Sequence, residues 1–319
     1  MEDTGLLEMF DRMLADLFDS ATIRRIEDQS GDPLIWKSLE ESGFLDALVE
    51  EKDGGSGLSF ADTVPLFMAM GRRAVPFPIG ETMIARAMLA KDGQDRPDGA
   101  IALGLPSLVL PGAQHAEHVL IQEPDGLKLD RLADSRHLSA EFAGPHDMLP
   151  SKSPSGGEET ATSPMAAAAA VLFAALIAGA SDAALQMSTD YALERVQFGK
   201  PIAQKQALQQ NLAVASEHVV AARMACETAA NQDRWPSLTN AACAKITASG
   251  TASIVARTAH ALHGAIGISA EHDLNLYTRR MQTWRIAGGT ESFWAARLGE
   301  EIIADPRPSL NLMLEEIFS

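Results

Sequence analysis

The sequence of 319 residues has few cysteines, few aromatic residues and little positive charge. Its two cysteines, Cys226 and Cys243, show no CxxC or Cys/His spacing, which argues against a disulfide framework and against a zinc site. The 26 Lys and Arg residues are outnumbered by 43 Asp and Glu, and a net charge of -17 repels phosphate backbones and anionic lipid. We therefore expect a cytoplasmic protein that binds neither nucleic acid nor a membrane.

Several motifs of common enzyme classes are also missing from the sequence. It contains no GxxxxGK[ST], no GxSxG and no HExxH. The pair His115 and His118 lacks the further ligands of a metal site, so we assign it a surface or structural role and expect no metal. The beginning of the sequence, MEDTGLLEMF, is acidic and does not have the charge pattern of a secretory signal.

One long apolar run, from Met165 to Ala180, invites confusion with a membrane span. It is shorter than the roughly 20 residues that a span requires. Most of its residues are alanine, which is only weakly hydrophobic. We interpret it as a tightly packed, buried helix.

Hydrophobic periodicity predicts helices at both ends of the chain. The first group comprises Leu6–Phe18, Leu34–Glu41, Asp62–Met70, which we expect to end at Gly71, and Glu81–Leu89. The second group comprises Met165–Leu193, Gln206–Gln232, Leu238–Leu262, Leu274–Trp284 and Thr290–Ala304. In the second helix of this group, small and aliphatic residues form a stripe suited to the close contacts of a four-helix bundle: Leu208, Leu212, Ala215, Val219, Ala222 and Cys226.

Between Gly93 and Ser163 the sequence changes to short apolar runs separated by Gly, Pro and Asp, which is typical of strands and turns. The segment Ser153–Pro164 reads as a polar linker. We therefore predict a mainly α protein with a small β region, divided into a helical domain (1–92), a β domain with its linker (93–163) and a helical bundle (164–319).

Two segments, Tyr191–Ala213 and Ala261–Ile302, carry a specific resemblance. They contain an Arg-x-x-Phe-Gly-x-x-Ile…Gln turn, a glycine turn after a long helix and a Gly-Thr turn, in that order. In this they resemble the C-terminal helical domain of the acyl-CoA dehydrogenase family, and Leu34–Asp62 resembles the family's first helical domain. The resemblance implies that fold, with a reduced middle β domain, and the cofactor FAD.

The resemblance also implies cofactor-binding residues. Arg195 offers a guanidinium for a pyrophosphate, and Phe198 offers a ring for the face of an aromatic cofactor. By similarity this turn reaches across a subunit interface to FAD, with Gln206 as a further polar contact. The alternative is that Arg195 pairs with Glu194 or another surface acid.

Two later turns are the other expected cofactor contacts. The first contains His263, Gly264 and Gly267, although Ala261 stands where the family usually has glutamine and Ala265 replaces a glycine; its alternative role is a helix C-cap. The second contains Gly289 and Thr290 at a helix N-terminus, where Thr290 is equally suited to be the N-cap. Arg279 receives a structural role.

The family's catalytic carboxylate is missing from both of its usual positions. One position, directly before the Gly-Thr pair, is Gly288, and the other falls near Ala169 in a run without carboxylates. Losing a positioned base removes roughly 10² to 10⁴ in rate. Glu291 is the one nearby candidate, but we expect it to point along a different face.

These features resemble the base-less subunit of a heteromeric, α2β2 bacterial acyl-CoA dehydrogenase of the steroid side-chain type. The resemblance implies a full-length acyl-CoA dehydrogenase subunit as partner, an acyl-CoA substrate bound by the complex, and an electron-transfer flavoprotein as electron acceptor. Two alternatives stay open: a self-sufficient homo-oligomeric enzyme with an unusual base, and a helical scaffold derived from the family that binds no flavin.

Overall fold

The computed structural model describes residues 4–29, 32–105, 109–132, 163–230, 235–307 and 311. The first group of helices is α1 (Thr4–Leu17), α2 (Ser20–Gln29), α3 (Pro33–Glu41), α4 (Phe60–Arg72) and α5 (Ile79–Lys91). Four of the five were predicted. The sequence analysis missed α2, SATIRRIEDQ, because it is mostly polar and buries little apolar surface beyond Ile23 and Ile26.

The middle region forms a three-stranded sheet of β1 (Ile101–Gly104), β2 (His118–Glu123) and β3 (Gly126–Arg131). β1 pairs with β2 in parallel, and β2 pairs with β3 in antiparallel register. The predicted β region is thus confirmed for its first part. Residues 133–162, including most of the predicted linker, lie outside the described residues, and the predicted domain boundaries stay a prediction.

The C-terminal half is the predicted helical bundle. It consists of α6 (Pro164–Glu194), the short strands β4 (Val196–Gln197) and β5 (Lys200–Pro201), α7 (Gln206–Ala230), α8 (Leu238–His263), the single turn α9 (Ala265–Ile268), α10 (Leu274–Ile286) and α11 (Glu291–Ala304). The five long helices agree with the predicted segments to within a few residues. Ala215, Val219, Ala222 and Cys226 of the predicted stripe are buried, whereas Leu208 and Leu212 are partly buried in a smaller cluster near Ile202.

Helix α6 runs through the centre of the protein. Ser163 caps its start by accepting a hydrogen bond from the Ala166 amide, and Pro164 occupies the first turn, where proline is favoured. Among the described helices, α6 is long and apolar enough to cross a membrane, yet 94% of its most apolar 18-residue window is buried in this protein. The interpretation of Met165–Ala180 as a buried helix is therefore confirmed.

The contact between α4 and α6 depends on two glycines. A Cβ atom at Gly71 of α4 would overlap the carbonyl oxygen of Leu176, and one at Gly179 of α6 would overlap the carbonyl oxygen of Met68. The two backbones therefore touch directly. The helix ends at Arg72, one residue after the predicted end at Gly71, and Gly71 has in addition a packing role that the sequence analysis did not identify.

Ion pairs join α2 to the helical bundle. Arg24 binds Asp273 at 2.7 Å, and Glu27 binds both Arg279 and Arg280, at 2.8 and 2.9 Å. Burial alone would raise the pKa of Glu27, but the two guanidiniums outweigh it and hold the pKa below its usual value. Arg279 thus has a structural partner, which fits the role that the sequence analysis gave it.

We predict that Gly179→Ala destabilises the protein by about 3 kcal/mol, because the new methyl group forces two helix backbones apart. Gly250→Ala is the matched control, since Gly250 also lies inside a long helix but a Cβ there meets nothing within 4 Å. The control should gain up to about 1 kcal/mol from better helix propensity. Urea unfolding followed by circular dichroism measures both; equal effects of the two substitutions would contradict the contact.

Candidate functional site

The Arg-x-x-Phe-Gly segment forms a tight hairpin. Strands β4 and β5 pair Val196 with Pro201 and Gln197 with Lys200, which leaves Phe198 and Gly199 at the tip. Both tip residues have positive φ, 54° and 79°, a combination typical of a type I′ turn. Phe198 is strained in this conformation and is 95% exposed, so its ring gains nothing from the core of its own chain.

The polar residues beside this hairpin point outward as well. Arg195 follows the last residue of α6 and is exposed, and its side chain has no ion-pair partner among the described residues, Glu194 included. Gln206, also exposed, begins α7. Lys205 bonds Gln197 at 3.3 Å, and its ammonium lies 5.1 Å from the centre of the Phe198 ring. The segment 195–216 contains three cations and no carboxylate in a chain of net charge -17.

The glycine turn lies next to the hairpin. Gly264 ends α8 with φ 62° and ψ -139°, a conformation that favours glycine. A Cβ at Gly267 would lie 2.8 Å from the Cβ of His263. His263 itself is only 4% exposed, and its ring stacks on Tyr191 with centroids 4.4 Å apart. The imidazole is therefore enclosed by its own chain, and this turn instead exposes its backbone at Gly264 and the side chains of Ile266 and Ile268.

The Gly-Thr turn lies elsewhere. Gly288 and Gly289 are buried, and the indole nitrogen of Trp294 donates to the Gly288 carbonyl at 3.0 Å. Thr290 is the N-cap of α11, because its hydroxyl accepts a hydrogen bond from the Phe293 amide at 3.2 Å. The structure thus gives Thr290 a structural task, as one of the two interpretations of the sequence proposed.

The predicted residues therefore form two separate groups. Phe173 of α6 marks the position of the Gly288 turn, because its ring would lie 3.0 Å from a Cβ at Gly288. Phe173 and Arg195 are separated by 22 residues, almost all of them in α6, which corresponds to about 33 Å at the rise of an α-helix. The hairpin, Gln206 and the His263–Gly267 turn lie at one end of α6, whereas Gly288, Gly289 and Thr290 lie near its other end.

The two positions at which the resemblance implies a base converge in space. Phe173 lies one helical turn after Ala169 on α6 and contacts Gly288 across the helix interface. A cavity of only about 10 Å³ adjoins them, lined by Phe173, Gly288, Leu105 and Glu81, among others. Glu291, the candidate from the sequence, instead pairs with Arg285 at 3.4 Å.

Glu81 is the carboxylate in this cavity wall, and the sequence analysis did not identify it. It lies in the first turn of α5, where the helix dipole favours a negative charge, and it is 4% exposed. It also lines a neighbouring cleft with Thr283 and Arg280. A signal was present in the sequence: IGETMIARAMLA is mostly apolar, with Glu81 and Arg86 as its charged residues, and charged residues in such a segment are candidates for buried groups.

A second buried ionisable group lies behind Phe173. Lys245 of α8 is fully buried; its ammonium donates to the carbonyl oxygen of Trp284 and lies 5.4 Å from the centre of the Phe173 ring. Burial, together with repulsion from Arg285, lowers the pKa of Lys245 to about 7. The lysine thus joins α6, α8 and the end of α10 behind the Gly288 turn.

Comparisons with known proteins agree on one family. Residues 157–303 match the family described as "Acyl-CoA dehydrogenase, C-terminal domain". The chain is 32% identical over 271 residues to acyl-CoA dehydrogenase IpdE2 of Mycobacterium tuberculosis (strain ATCC 25618 / H37Rv). The matched region covers 79% of this chain and 81% of that protein.

Solved structures share the fold over nearly the whole chain. The ChsE4-ChsE5 complex from Mycobacterium tuberculosis contains a chain with a TM-score of 0.78 and 20% identity, covering 96% of this chain and 99% of that one. A Tcur3481-Tcur3483 steroid ACAD gives a TM-score of 0.77 and 24% identity, covering 95% and 98%. The predicted fold class is therefore confirmed.

We predict a pH-dependent stability difference between the wild type and Lys245→Met. Below pH 7 the folded protein carries a buried, unpaired charge at Lys245, so the variant should be the more stable of the two. Between about pH 7 and 10.5 the unfolded chain still binds the proton that the folded chain has lost, so wild-type stability rises with pH relative to the variant.

Urea midpoints at half-unit steps from pH 6 to pH 9 measure this difference. Lys37→Met is the control, because the Lys37 side chain is 70% exposed. The control should differ from the wild type by a constant amount across the pH range. A constant difference for Lys245→Met would show that the ammonium is solvated.

Proposed function

The chain belongs to the acyl-CoA dehydrogenase family, and we propose that it is the subunit without a catalytic base in a heteromeric, FAD-dependent member of that family. In this proposal the complex carries out α,β-desaturation of an acyl-CoA thioester. This chain supplies FAD contacts across the subunit interface, and a full-length acyl-CoA dehydrogenase subunit supplies the base.

The observation that carries the proposal is the environment of Gly288. Desaturation needs a carboxylate that removes the α-proton, and neither Gly288 nor the nearby run of α6 around Ala169 supplies one. Phe173 fills the space into which a side chain at position 288 would extend. The position is therefore both without a base and closed by an aromatic ring, which favours catalysis on another chain.

The hairpin fits the second half of the proposal. The hairpin region presents an exposed guanidinium, a 95% exposed phenyl ring and a segment free of acids. These groups gain little from contacts within their own chain, but they suit a ligand that has both phosphates and flat rings. FAD is such a ligand, and when bound it accepts the hydride from the β-carbon. In our proposal Arg195 donates hydrogen bonds to phosphate oxygens, Phe198 packs on a ring and Gln206 adds a polar contact.

The surface and the relatives favour a partner chain. Helix α7 exposes Val214, Val220 and Met224, at 46, 53 and 59%, in addition to Phe198 on the hairpin before it. Exposed apolar patches are typical of an interface. Two of the similar structures, ChsE4-ChsE5 and Tcur3481-Tcur3483, are assemblies of two different chains. Since the second is a steroid ACAD, we extend the proposal to the CoA thioester of a steroid side chain. An electron-transfer flavoprotein as acceptor and a cytoplasmic location complete it.

A second candidate function rests on Glu81. A self-sufficient enzyme would need an unusual base, and Glu81 is the carboxylate that lines the cavity beside Gly288. In that case the chain alone would retain flavin and oxidise acyl-CoA.

We predict that Arg195→Ala lowers the affinity of the co-expressed complex for FAD by about tenfold, since hydrogen bonds to charged groups are worth roughly 1.5–3 kcal/mol. The ratio of flavin absorbance to protein absorbance after gel filtration measures it. Arg25→Ala is the control, because Arg25 is partly exposed and pairs with Asp32 in the N-terminal helical region. An unchanged flavin content for Arg195→Ala would contradict the FAD contact of the hairpin, and no yellow complex with any full-length relative encoded nearby would favour the scaffold without flavin.

We predict that Glu81→Gln leaves turnover by the complex nearly unchanged, because the partner's base does the chemistry. If Glu81 is the base, the same substitution lowers kcat by roughly 10² to 10⁴. The purified chain without a partner is assayed in parallel for stoichiometric FAD and for acyl-CoA turnover. Flavin and activity in the chain alone, lost on Glu81→Gln, would replace the heteromeric proposal with the self-sufficient one.

A further inference from the structure

The stack of Tyr191 on His263 connects the Arg195–Pro201 hairpin to the Gly264–Gly267 turn at one end of α6. The ring centroids are 4.4 Å apart and the planes meet at 24°, which is a stacked arrangement. The edge of His272 approaches the same imidazole at 4.7 Å and 69°. The imidazole is thus held on one face by Tyr191 and approached by a second ring from the loop before α10.

Tyr191 lies one helical turn before the hairpin, and His263 directly precedes the glycine turn. The carbonyl of Tyr191 accepts a hydrogen bond from the Arg195 amide at 2.9 Å, and Arg195 begins the hairpin. His263 is the last residue of α8, before Gly264 reverses the chain. The Arg195 carbonyl in turn accepts from the Ile202 amide at 2.8 Å, and Ile202 packs in one small cluster that includes Leu262 and Tyr191.

The hydrogen bonds of His263 fix both its tautomer and its orientation. Its Nδ1 lies 2.9 Å from the Ala259 carbonyl, which can only accept, so Nδ1 carries the proton. Its Nε2 is buried and has no hydrogen-bond partner among the described residues. Rotating the ring would break the Nδ1 bond and bury an unpaired N–H group, so the face presented to Tyr191 is fixed.

Protonation of His263 is opposed by the same surroundings. Burial lowers its pKa, and the nearby His272 and His260 lower it further, which outweighs the bond to the Ala259 carbonyl. The ring therefore stays neutral near pH 7, and the stack is an aromatic contact between two uncharged rings.

We propose that Tyr191 and His263 are positioning residues that hold the Arg195–Pro201 hairpin and the Gly264–Gly267 turn in one fixed arrangement, so that both meet the same ligand together. For the ligand, FAD, the inference rests on the proposed function. It revises the role of His263: the side chain orients the turn from within and does not contact the cofactor.

The test uses hydrogen–deuterium exchange of the full chain without partner or flavin. Tyr191→Leu should speed amide exchange in peptides covering both 195–205 and 264–272, by roughly three- to tenfold, the effect of losing one aromatic pair. Tyr191→Phe keeps the ring and should behave as wild type. Tyr277→Leu is the matched control, since Tyr277 packs against the main core, and it should leave both peptides unchanged.

His263→Leu gives an independent route in case Tyr191→Leu does not fold, and it should also speed exchange in both peptides. The proposal is wrong if either leucine variant folds and leaves exchange in both peptides as in the wild type. It is also wrong if Tyr191→Leu affects only the 195–205 peptide, or His263→Leu only the 264–272 peptide. FAD affinity of the co-expressed complex is measured for the same variants. Faster exchange with unchanged FAD affinity would support the positioning role of Tyr191 and His263 and overturn the flavin contact of the proposed function.

Discussion

The direct backbone contact between α4 and α6 is the constraint on which the rest of the arrangement depends. Because Gly71 and Gly179 each face a carbonyl oxygen of the other helix, the N-terminal helices lie against the central helix without intervening side chains. That approach brings α5, and with it Glu81, beside Phe173 and Gly288. The alanines of α6 extend the same principle, since small side chains on every face let α4, α8 and α10 pack around one helix.

This packing separates two chemically different regions along α6. Near its start, buried groups fill the space around Gly288: a phenyl ring, an indole and a lysine whose pKa burial lowers to about 7. At its end, the hairpin exposes Arg195, which has no ion-pair partner among the described residues, and Phe198, whose ring is 95% exposed although the Lys205 ammonium lies 5.1 Å from its centre. A filled interior and an exposed hairpin fit our proposal that this chain contributes to a site on another chain.

The helical bundle could be predicted well because its signals are local. The cap residue Thr290, and hydrophobic periodicity sustained over 14 to 31 residues, predict α6, α7, α8 and α11 from sequence alone. Long-range contacts were less accessible. The polar helix α2 is held by ion pairs to residues more than 240 positions away, the packing role of Gly71 depends on the opposing helix, and the burial of His263 depends on its stack with Tyr191. Glu81 needed the fold to place it 92 residues from Phe173 in sequence but on the same cavity wall.

The rigidity of α6 has a consequence for how this chain can change. A continuous helix converts the 22 residues between Phe173 and Arg195 into a fixed distance and a fixed rotation. Inserting a single residue would advance the hairpin by about 1.5 Å and turn it by about 100° about the helix axis, away from its present direction. Substitutions within this stretch can be accommodated one at a time, but insertions and deletions cannot, so its length is a stricter property of the protein than its sequence.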